Sequence, residues 1–276
     1  MLKQRLITAA ILLPLVIISI FFLPWKAFQV SSGMIVLLAA WEWASMSGLD
    51  TLIKKQMYLL ALVILMLVFG LWLQYLSSVV IAILIFSIVV WSMAFLGIIR
   101  YSRSDKSILK GVMTRALFGF VVLIAFWLGL LLLRRADNGM VYLLLLMCLV
   151  WGADTSAYFA GRYWGKRKLA PEVSPNKTWE GLYGALCITS LIIGVFCFLD
   201  KQGIYYNLQL ILLAFIAVLF SVLGDLTESL VKRQCGLKDS GNLLPGHGGI
   251  FDRIDGLIAA TPVFAVGYYL LTVAMS

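Results

Sequence analysis

Charged residues are scarce in this chain of 276 residues: Asp, Glu, Lys and Arg make up 13% of it, whereas 62% is hydrophobic. The mean hydropathy is +1.00. A water-soluble domain of this length cannot bury so much apolar surface. The composition excludes a soluble globular enzyme and predicts an integral membrane protein.

Histidine is also scarce, and paired cysteines are absent. The chain has one histidine, and its four cysteines, Cys148, Cys187, Cys197 and Cys235, are scattered without a CxxC pair. This pattern indicates neither a structural zinc site nor a disulfide framework. The net charge of +9 then indicates membrane topology and anionic lipid headgroups, so we expect no nucleic-acid partner.

About nine apolar segments are each close to the roughly 20 residues that a membrane-spanning helix needs. Because a helix satisfies its own backbone polar groups within lipid, we predict an all-α polytopic membrane protein. The first segment follows Lys3 and Arg5 and lacks a small-residue cleavage site, so we expect it to be retained as a span. The predicted spans are residues 6–23, 27–46, 57–76, 79–99, 116–133, 140–160, 182–199, 207–227 and 256–275.

Basic residues are distributed unequally between the two sides that these spans define. With a cytoplasmic N-terminus, about eighteen of the 22 Lys and Arg residues fall in the cytoplasm. About four lie on the other side: Lys26, Arg134, Arg135 and Lys201. A miscounted span would invert every later loop, so the bias supports both the count and the orientation.

Two predicted cytoplasmic loops, residues 161–181 and 228–255, differ from the rest of the chain in composition. They combine Gly, Pro, Ser, Asn, Lys and Arg with carboxylates, the residue types that build phosphate and metal sites. We therefore divide the chain into an N-terminal transmembrane scaffold, residues 1–135, and a C-terminal catalytic region, residues 136–276, which contains both loops.

Three carboxylates lie within predicted spans: Glu42, Asp154 and Asp225. An ionised carboxylate near the bilayer centre costs roughly 2.5–3.5 kcal/mol, so each is a candidate functional group. For Glu42, a hydrated or paired carboxylate near the interface is an equally good interpretation. Asp154 is favoured as functional or supporting.

Asp225 belongs to a pattern. Together with Glu228, Ser229 and Lys232 it falls at positions i, i+3, i+4 and i+7 of one helical face. Asp252 begins the next helix after a glycine-rich turn, so the carboxylates of Asp225 and Asp252 are expected to meet at the ends of adjacent antiparallel helices.

Two convergent carboxylates beside glycine amides suit Mg²⁺, a hard cation that takes oxygen ligands. We expect Asp225 and Asp252 to be its ligands, with Asp255 and Glu228 as further candidates. The alternative is that these acids only neutralise neighbouring cations, namely Lys232, Arg233 and Arg253.

Cations near these acids would bind phosphates, because catalysis of phosphoryl-type transfer depends on neutralising negative charge. Lys177, Lys232 and Arg233 are the candidates for this catalytic role. Polar residues around them are candidates for substrate binding: Ser174, Asn176, Thr178, Ser229, Lys238, Asp239, His247 and Arg253. His247 lies between two glycines, a position more typical of a hydrogen-bonding turn residue than of a ligand.

The order of residues across the second loop is distinctive: Ser229-Leu230-Val231-Lys232-Arg233, Lys238-Asp239, Pro245-Gly246-His247-Gly248-Gly249 and Asp252-Arg253-Ile254-Asp255. This order resembles the signature of the phosphatidate cytidylyltransferase family. An upstream stretch from Asp154 to Gly181 is also similar to that family. The resemblance is strong over residues 150–257 and rests before that on the arrangement of spans.

The resemblance implies a many-helix, dimeric membrane enzyme of the bacterial cytoplasmic (inner) membrane, with its active site facing the cytoplasm. It implies CTP and phosphatidic acid as substrates, CDP-diacylglycerol and pyrophosphate as products, and Mg²⁺ at Asp225 and Asp252. Whether a second, monovalent ion joins Mg²⁺ stays open.

Two other functions are compatible with parts of the sequence. A related CTP-using lipid kinase would transfer the γ-phosphate and release CDP. A secondary transporter would use Asp154 and Glu42 as coupling carboxylates, but it would also be expected to show broken helices and paired repeats.

Overall fold

The computed structural model of the chain describes residues 13–73, 77–104, 108–200, 202–237, 239–241 and 248–273. Within these ranges the chain is a bundle of nine helices with one small hairpin. The elements are α1 (residues 13–21), α2 (Trp25–Met46), α3 (Leu52–Trp72), α4 (Ser77–Ser104), a 3₁₀ turn (Ile108–Lys110), α5 (Val112–Arg135), α6 (Gly139–Trp164), β1 (Lys168–Ala170), β2 (Ser174–Thr178), α7 (Trp179–Asp200), α8 (Ile204–Gln234) and α9 (Phe251–Val273).

The predicted all-α polytopic membrane fold is confirmed. Among the described residues, eight helices, α2 to α9, are long and apolar enough to cross a membrane. They correspond to the second to ninth predicted spans. Of the first predicted span, residues 6–23, the described part includes helix over residues 13–21, and residues 6–12 lie outside the described ranges.

Helices α5 and α9 form the centre of the bundle. Their most apolar stretches are 78% and 72% buried, whereas those of α3 and α7 are only 17% buried and face outward. Small residues allow the central helices to approach: a Cβ added at Gly129 of α5 would lie 2.9 Å from Cγ2 of Thr261 in α9. The core therefore runs through α5 and α9, and α3 and α7 present apolar surface to lipid.

The contact between α8 and α9 is close at Gly224. A Cβ at this position would lie 2.4 Å from the carbonyl oxygen of Asp255, so a residue larger than glycine would push the two helices apart. Gly256 makes a similar contact with Ser221, whose Cβ would lie 3.3 Å from an added Cβ. These glycines bring the acidic positions of α8 and α9 next to each other.

The two polar loops are shorter than the sequence predicted. Helix α6 continues to Trp164 and α7 begins at Trp179, so the predicted loop 161–181 shrinks to residues 165–178 and contains the antiparallel hairpin β1–β2. The carboxylate of Glu180 stabilises this connection by accepting hydrogen bonds from the backbone N–H groups of Lys166 (3.0 Å) and Arg167 (3.2 Å). The same carboxylate accepts a hydrogen bond from Arg167 Nε, which raises the pKa of that guanidinium.

The predicted loop 228–255 is shortened at both ends, because α8 continues to Gln234 and α9 begins at Phe251. Helix α8 stops where Gly236 adopts a φ of 67°. The N–H of Gly236 bonds to the carbonyl of Arg233 (3.1 Å), and that of Leu237 bonds to the carbonyl of Lys232 (2.8 Å). This is the Schellman arrangement in which glycine ends a helix, and it keeps Glu228 to Arg233 helical.

The C-terminal ends of α2, α6 and α8 meet the N-terminal ends of α7 and α9 at one end of the bundle, which we call the polar end. Contacts such as Gly161 with Gly181 and Gly224 with Asp255 define it. The opposite end is closed by other polar contacts, including the hydrogen bond between the hydroxyls of Tyr142 and Tyr206 (2.6 Å).

Candidate active site

Asp252, in the first turn of α9, is held by several donors. Its Oδ1 lies 2.7 Å from Nζ of Lys232 on α8. Its Oδ2 accepts hydrogen bonds from the backbone N–H groups of Ser240 (3.0 Å) and Gly249 (2.9 Å). The side chain is 8% exposed, so its orientation is set by the protein. Gly248 has a φ of 80°, and a Cβ there would lie 2.8 Å from Oδ2 of Asp252, so this turn suits glycine.

Lys232 connects Asp252 to a second acid. Its Nζ lies 3.4 Å from Oε2 of Glu228, one turn earlier on α8, and the side chain of Glu228 is only 2% exposed. The other oxygen of Glu228, Oε1, is buried without a hydrogen-bond partner among the described residues. Asp255 lies within electrostatic range of Glu228 and Asp225, and its Oδ1 accepts a hydrogen bond from the N–H of Gly256 (2.8 Å). The acids thus extend from Asp252 towards Asp225.

Asp225 lines an open cavity instead. This cavity of about 500 Å³ lies between α6, the hairpin, α7 and α8. Oδ2 of Asp225 lies 2.6 Å from Nζ of Lys177 on β2, and 35% of the Asp225 side chain is exposed. Ser229 Oγ approaches Oδ1 of Asp225 at 3.4 Å. Asp225 and Asp252 therefore stand on neighbouring helices, as the sequence predicts, but each is paired with a different lysine.

The hairpin brings all four of its predicted site residues to the cavity. Ser174, Asn176, Lys177 and Thr178 all line it. Thr178 also has a structural role, because its buried Oγ1 accepts a hydrogen bond from the N–H of Gly181 (3.1 Å) in the first turn of α7. The hairpin is thus fixed on the helix that follows it.

Other predicted site residues lie away from this cavity. Arg233 is exposed, and its Nε donates to the carbonyl of Val173, which ties the end of α8 to the hairpin. Asp239 is exposed in the loop before α9, and Arg253 is exposed in the first turn of α9. Lys238 and His247 lie outside the described residues.

The cavity also contains Asp154, which the sequence favours as functional or supporting, and three polar residues that the sequence did not assign to the site. Asp154, Tyr158 and Arg162 line it from α6, and Lys168 lines it from β1. The hydroxyl of Tyr158 accepts a hydrogen bond from Arg162 Nη1 (3.0 Å). Asp154, Tyr158 and Arg162 recur at intervals of four residues, which places them on one face of α6. This spacing is the sequence feature from which a polar face of α6 could have been predicted.

The acids of the polar end fit a hard cation such as Mg²⁺. Their ligand atoms are carboxylate oxygens, and Oε1 of Glu228 is buried without a hydrogen-bond donor among the described residues. Within the described ranges, no three acidic, histidine or cysteine side chains gather around one point as a preformed metal site. Because Mg²⁺ is usually bound by one or two carboxylates together with substrate phosphates and water, the residues present are sufficient.

Comparisons with a family model and with individual proteins agree on one family. The family model described as "Cytidylyltransferase family" matches residues 3–271. A Pseudomonas aeruginosa protein named phosphatidate cytidylyltransferase is 43% identical over 267 residues, which cover 96% of each chain. A Haemophilus influenzae protein of the same name is 38% identical over 98% of this chain and 100% of the relative. A Bacillus subtilis protein of that name is 39% identical over 59% of this chain and 62% of the relative.

Proposed function

The chain belongs to the cytidylyltransferase family, and we propose that its polar end is where it transfers the cytidylyl group of CTP to phosphatidic acid. The products are CDP-diacylglycerol and pyrophosphate. Family membership supports this reaction over the lipid kinase and transporter alternatives. The observation that supports the location is the cavity in which Asp225 and Lys177 stand 2.6 Å apart, next to the buried pair of Lys232 and Asp252.

The chemistry explains why cations predominate over bases. A phosphate monoester has its second pKa near 6, so the phosphate of phosphatidic acid is already an anionic nucleophile near neutral pH. It attacks the α-phosphorus of CTP while pyrophosphate leaves. No general base is required, which agrees with a chain that has one histidine. The main task is to hold two polyanions in line, which requires positive charge and positioning.

Several basic side chains are placed for this task. Lys177, Arg162 and Lys168 line the cavity and would bind the phosphates of CTP. Ser174 and Asn176 would contribute hydrogen bonds there. Lys232 would place a buried positive charge at the inner side of the site.

We propose that Asp225 and Asp252 hold Mg²⁺, with Glu228 and Asp255 as supporting acids. The ion would neutralise phosphate charge that develops as pyrophosphate departs. Lys177, which pairs with Asp225 here, would then be free to contact phosphate oxygens, whereas Lys232 would keep its buried position beside Asp252.

The lipid substrate requires access from the side. Tyr158 and Leu182 line the cavity at the α6–α7 boundary, and most of α7 faces outward. Exposed aromatic side chains surround this boundary: Tyr158, Phe159, Tyr163, Trp164, Trp179 and Tyr183. Aromatic residues are enriched at membrane interfaces, so we propose that phosphatidic acid enters between α6 and α7.

We further propose that the protein is a homodimer in the bacterial cytoplasmic membrane with its polar end in the cytoplasm. The excess of Lys and Arg on that side supports the orientation. The family resemblance supports the dimer and is compatible with a second, monovalent ion beside Mg²⁺.

The test is a product assay on purified protein. With α-labelled CTP and phosphatidic acid, we expect label in the lipid phase and one pyrophosphate released per lipid formed. Chelation by EDTA should stop the reaction, and Mg²⁺ should restore it. Lipid labelling from γ-labelled CTP with release of CDP would contradict the reaction, and full turnover in EDTA would contradict the role of Mg²⁺.

A further inference from the structure

Glu42, on α2, is an acid that the proposed mechanism does not use. It lies in the N-terminal part of the chain, yet its side chain reaches the segment that precedes α9. Oε1 accepts a hydrogen bond from the N–H of Ile250 (3.0 Å), and Oε2 accepts one from the N–H of Phe251 (2.8 Å). The residue is 2% exposed. Since the first N–H groups of a helix have no partner within it, Glu42 caps α9 from a different helix.

Two glycines that precede α9 lie in close contact with this carboxylate. A Cβ at Gly241 would lie 2.5 Å from Oε1 of Glu42, and one at Gly249 would lie 2.5 Å from Oε2. Real Cβ atoms do not approach other atoms so closely. Both glycines therefore allow the backbone to close on the Glu42 carboxylate.

Ser240 extends this contact to Asp252. Its hydroxyl donates to Oε2 of Glu42 (3.2 Å) and accepts a hydrogen bond from the N–H of Asp252 (3.3 Å). The N–H of Ser240 donates to Oδ2 of Asp252. A continuous set of hydrogen bonds thus runs from Glu42 through Ser240 to Asp252.

The neighbouring residue on α2 strengthens the same junction. Trp43 stacks on Phe251 with ring centroids 4.9 Å apart, and its Nε1 donates to the carbonyl of Arg115 (2.9 Å). The first turn of α9 is therefore held by a polar contact and an aromatic contact from adjacent positions of α2.

We propose that Glu42 is a positioning residue for the transfer reaction: through Ser240 and the first turn of α9 it orients Asp252, and Asp252 orients Lys232. This inference rests on the proposed active site and gives α2 a role in it. Glu42 itself need not contact a substrate. Its removal should slow turnover because the charges of Asp252 and Lys232 would no longer be fixed for the transition state.

Glu42→Gln tests the proposal, because glutamine keeps the size of the side chain but replaces one acceptor with a donor. We expect kcat per folded enzyme to fall about tenfold or more, with the KM for CTP changed less than about twofold. Glu42→Asp, which retains the carboxylate, should recover part of the loss. Ser45→Ala is the control: its hydroxyl bonds to the Trp41 carbonyl within α2 (3.0 Å), and its loss should leave kcat unchanged.

Two further measurements separate positioning from general destabilisation. In Glu42→Gln, hydrogen exchange of the N–H groups of Ser240 and Gly249, which bond to Asp252 and not to Glu42, should accelerate about tenfold. Glu42→Gln combined with Ser240→Ala should lose little more activity than Glu42→Gln alone, because both changes break one chain of contacts.

Unchanged kcat in Glu42→Gln, with or without faster exchange, would overturn the proposal, as would strictly additive effects of the two substitutions. If Asp252→Asn were fully active, the proposed site itself would be wrong, whatever Glu42→Gln did. The two failures are therefore distinguishable.

Discussion

The two aspartates of the active site sit in different surroundings. Asp252 is 8% exposed and accepts hydrogen bonds from a lysine and two backbone N–H groups. Asp225 is 35% exposed, faces the cavity and contacts Lys177 and Ser229. Their lysine partners differ in the same direction: the side chain of Lys232 is 16% exposed and that of Lys177 is 22% exposed.

This difference indicates a division of labour. Asp252 and Lys232 are oriented by the protein before substrate arrives, since their positions are set by buried contacts. Asp225 and Lys177 can exchange their contact with each other for contacts with substrate phosphates at a small cost, because exposed ion pairs contribute only about 0–1 kcal/mol. The site therefore combines a rigid half with an adaptable half.

Asp252→Asn should have the largest effect and should affect both activity and stability. Breaking a buried ion pair costs about 3–5 kcal/mol, and Lys232 would lose its closest partner and keep only the longer contact with Glu228. We expect turnover to fall about a thousandfold or more and the melting temperature to drop. Asp50→Asn, at an exposed acid between α2 and α3, is the control for both measurements. A stable, active Asp252→Asn variant would remove the distinction between the two halves.

Asp225→Asn should separate activity from stability. Because this side chain is partly exposed, we expect the free energy of unfolding of the protein to change by less than about 1 kcal/mol. Turnover should nevertheless fall about a hundredfold or more, as when a charge-stabilising group is removed from an active site. The loss of turnover is measured as activity against Mg²⁺ concentration. Glu172→Gln, in the exposed hairpin turn, is the control. Full Mg²⁺-dependent turnover would exclude Asp225 as a ligand.

Lys177→Gln should have the smallest effect. Its positive charge lines the cavity, so its removal should weaken CTP binding about tenfold, equivalent to about 1.4 kcal/mol. We expect the KM for CTP to rise and kcat to change less. Lys166→Gln, in the same connection and exposed, serves as the matched control. Equal effects of the two substitutions would show that general charge, and not the position of Lys177, determines binding.

Much of the fold could be predicted because hydrophobicity and length alone define a span. The helical spacing of Asp225, Glu228 and Lys232 also placed these residues on one face of α8. The hairpin could not be predicted in the same way, because its strands have only three and five residues and carry no strong local pattern. It packs on α6 through Thr178, whose hydroxyl lies next to Gly161. The division into a scaffold, residues 1–135, and a catalytic region stays a prediction, although Glu42 contacts the second region from the first.

The sequence by itself determined the membrane class, the positions of the spans and the polar segments that carry the chemistry, since these depend on composition and on spacing within one helix. The tertiary structure decided which lysine pairs with which aspartate, and that Glu42 reaches Ile250 and Phe251, more than 200 positions further along the chain. Such contacts depend on how whole helices pack, and glycines at points of close approach set that packing. No local pattern encodes a partner so distant in sequence.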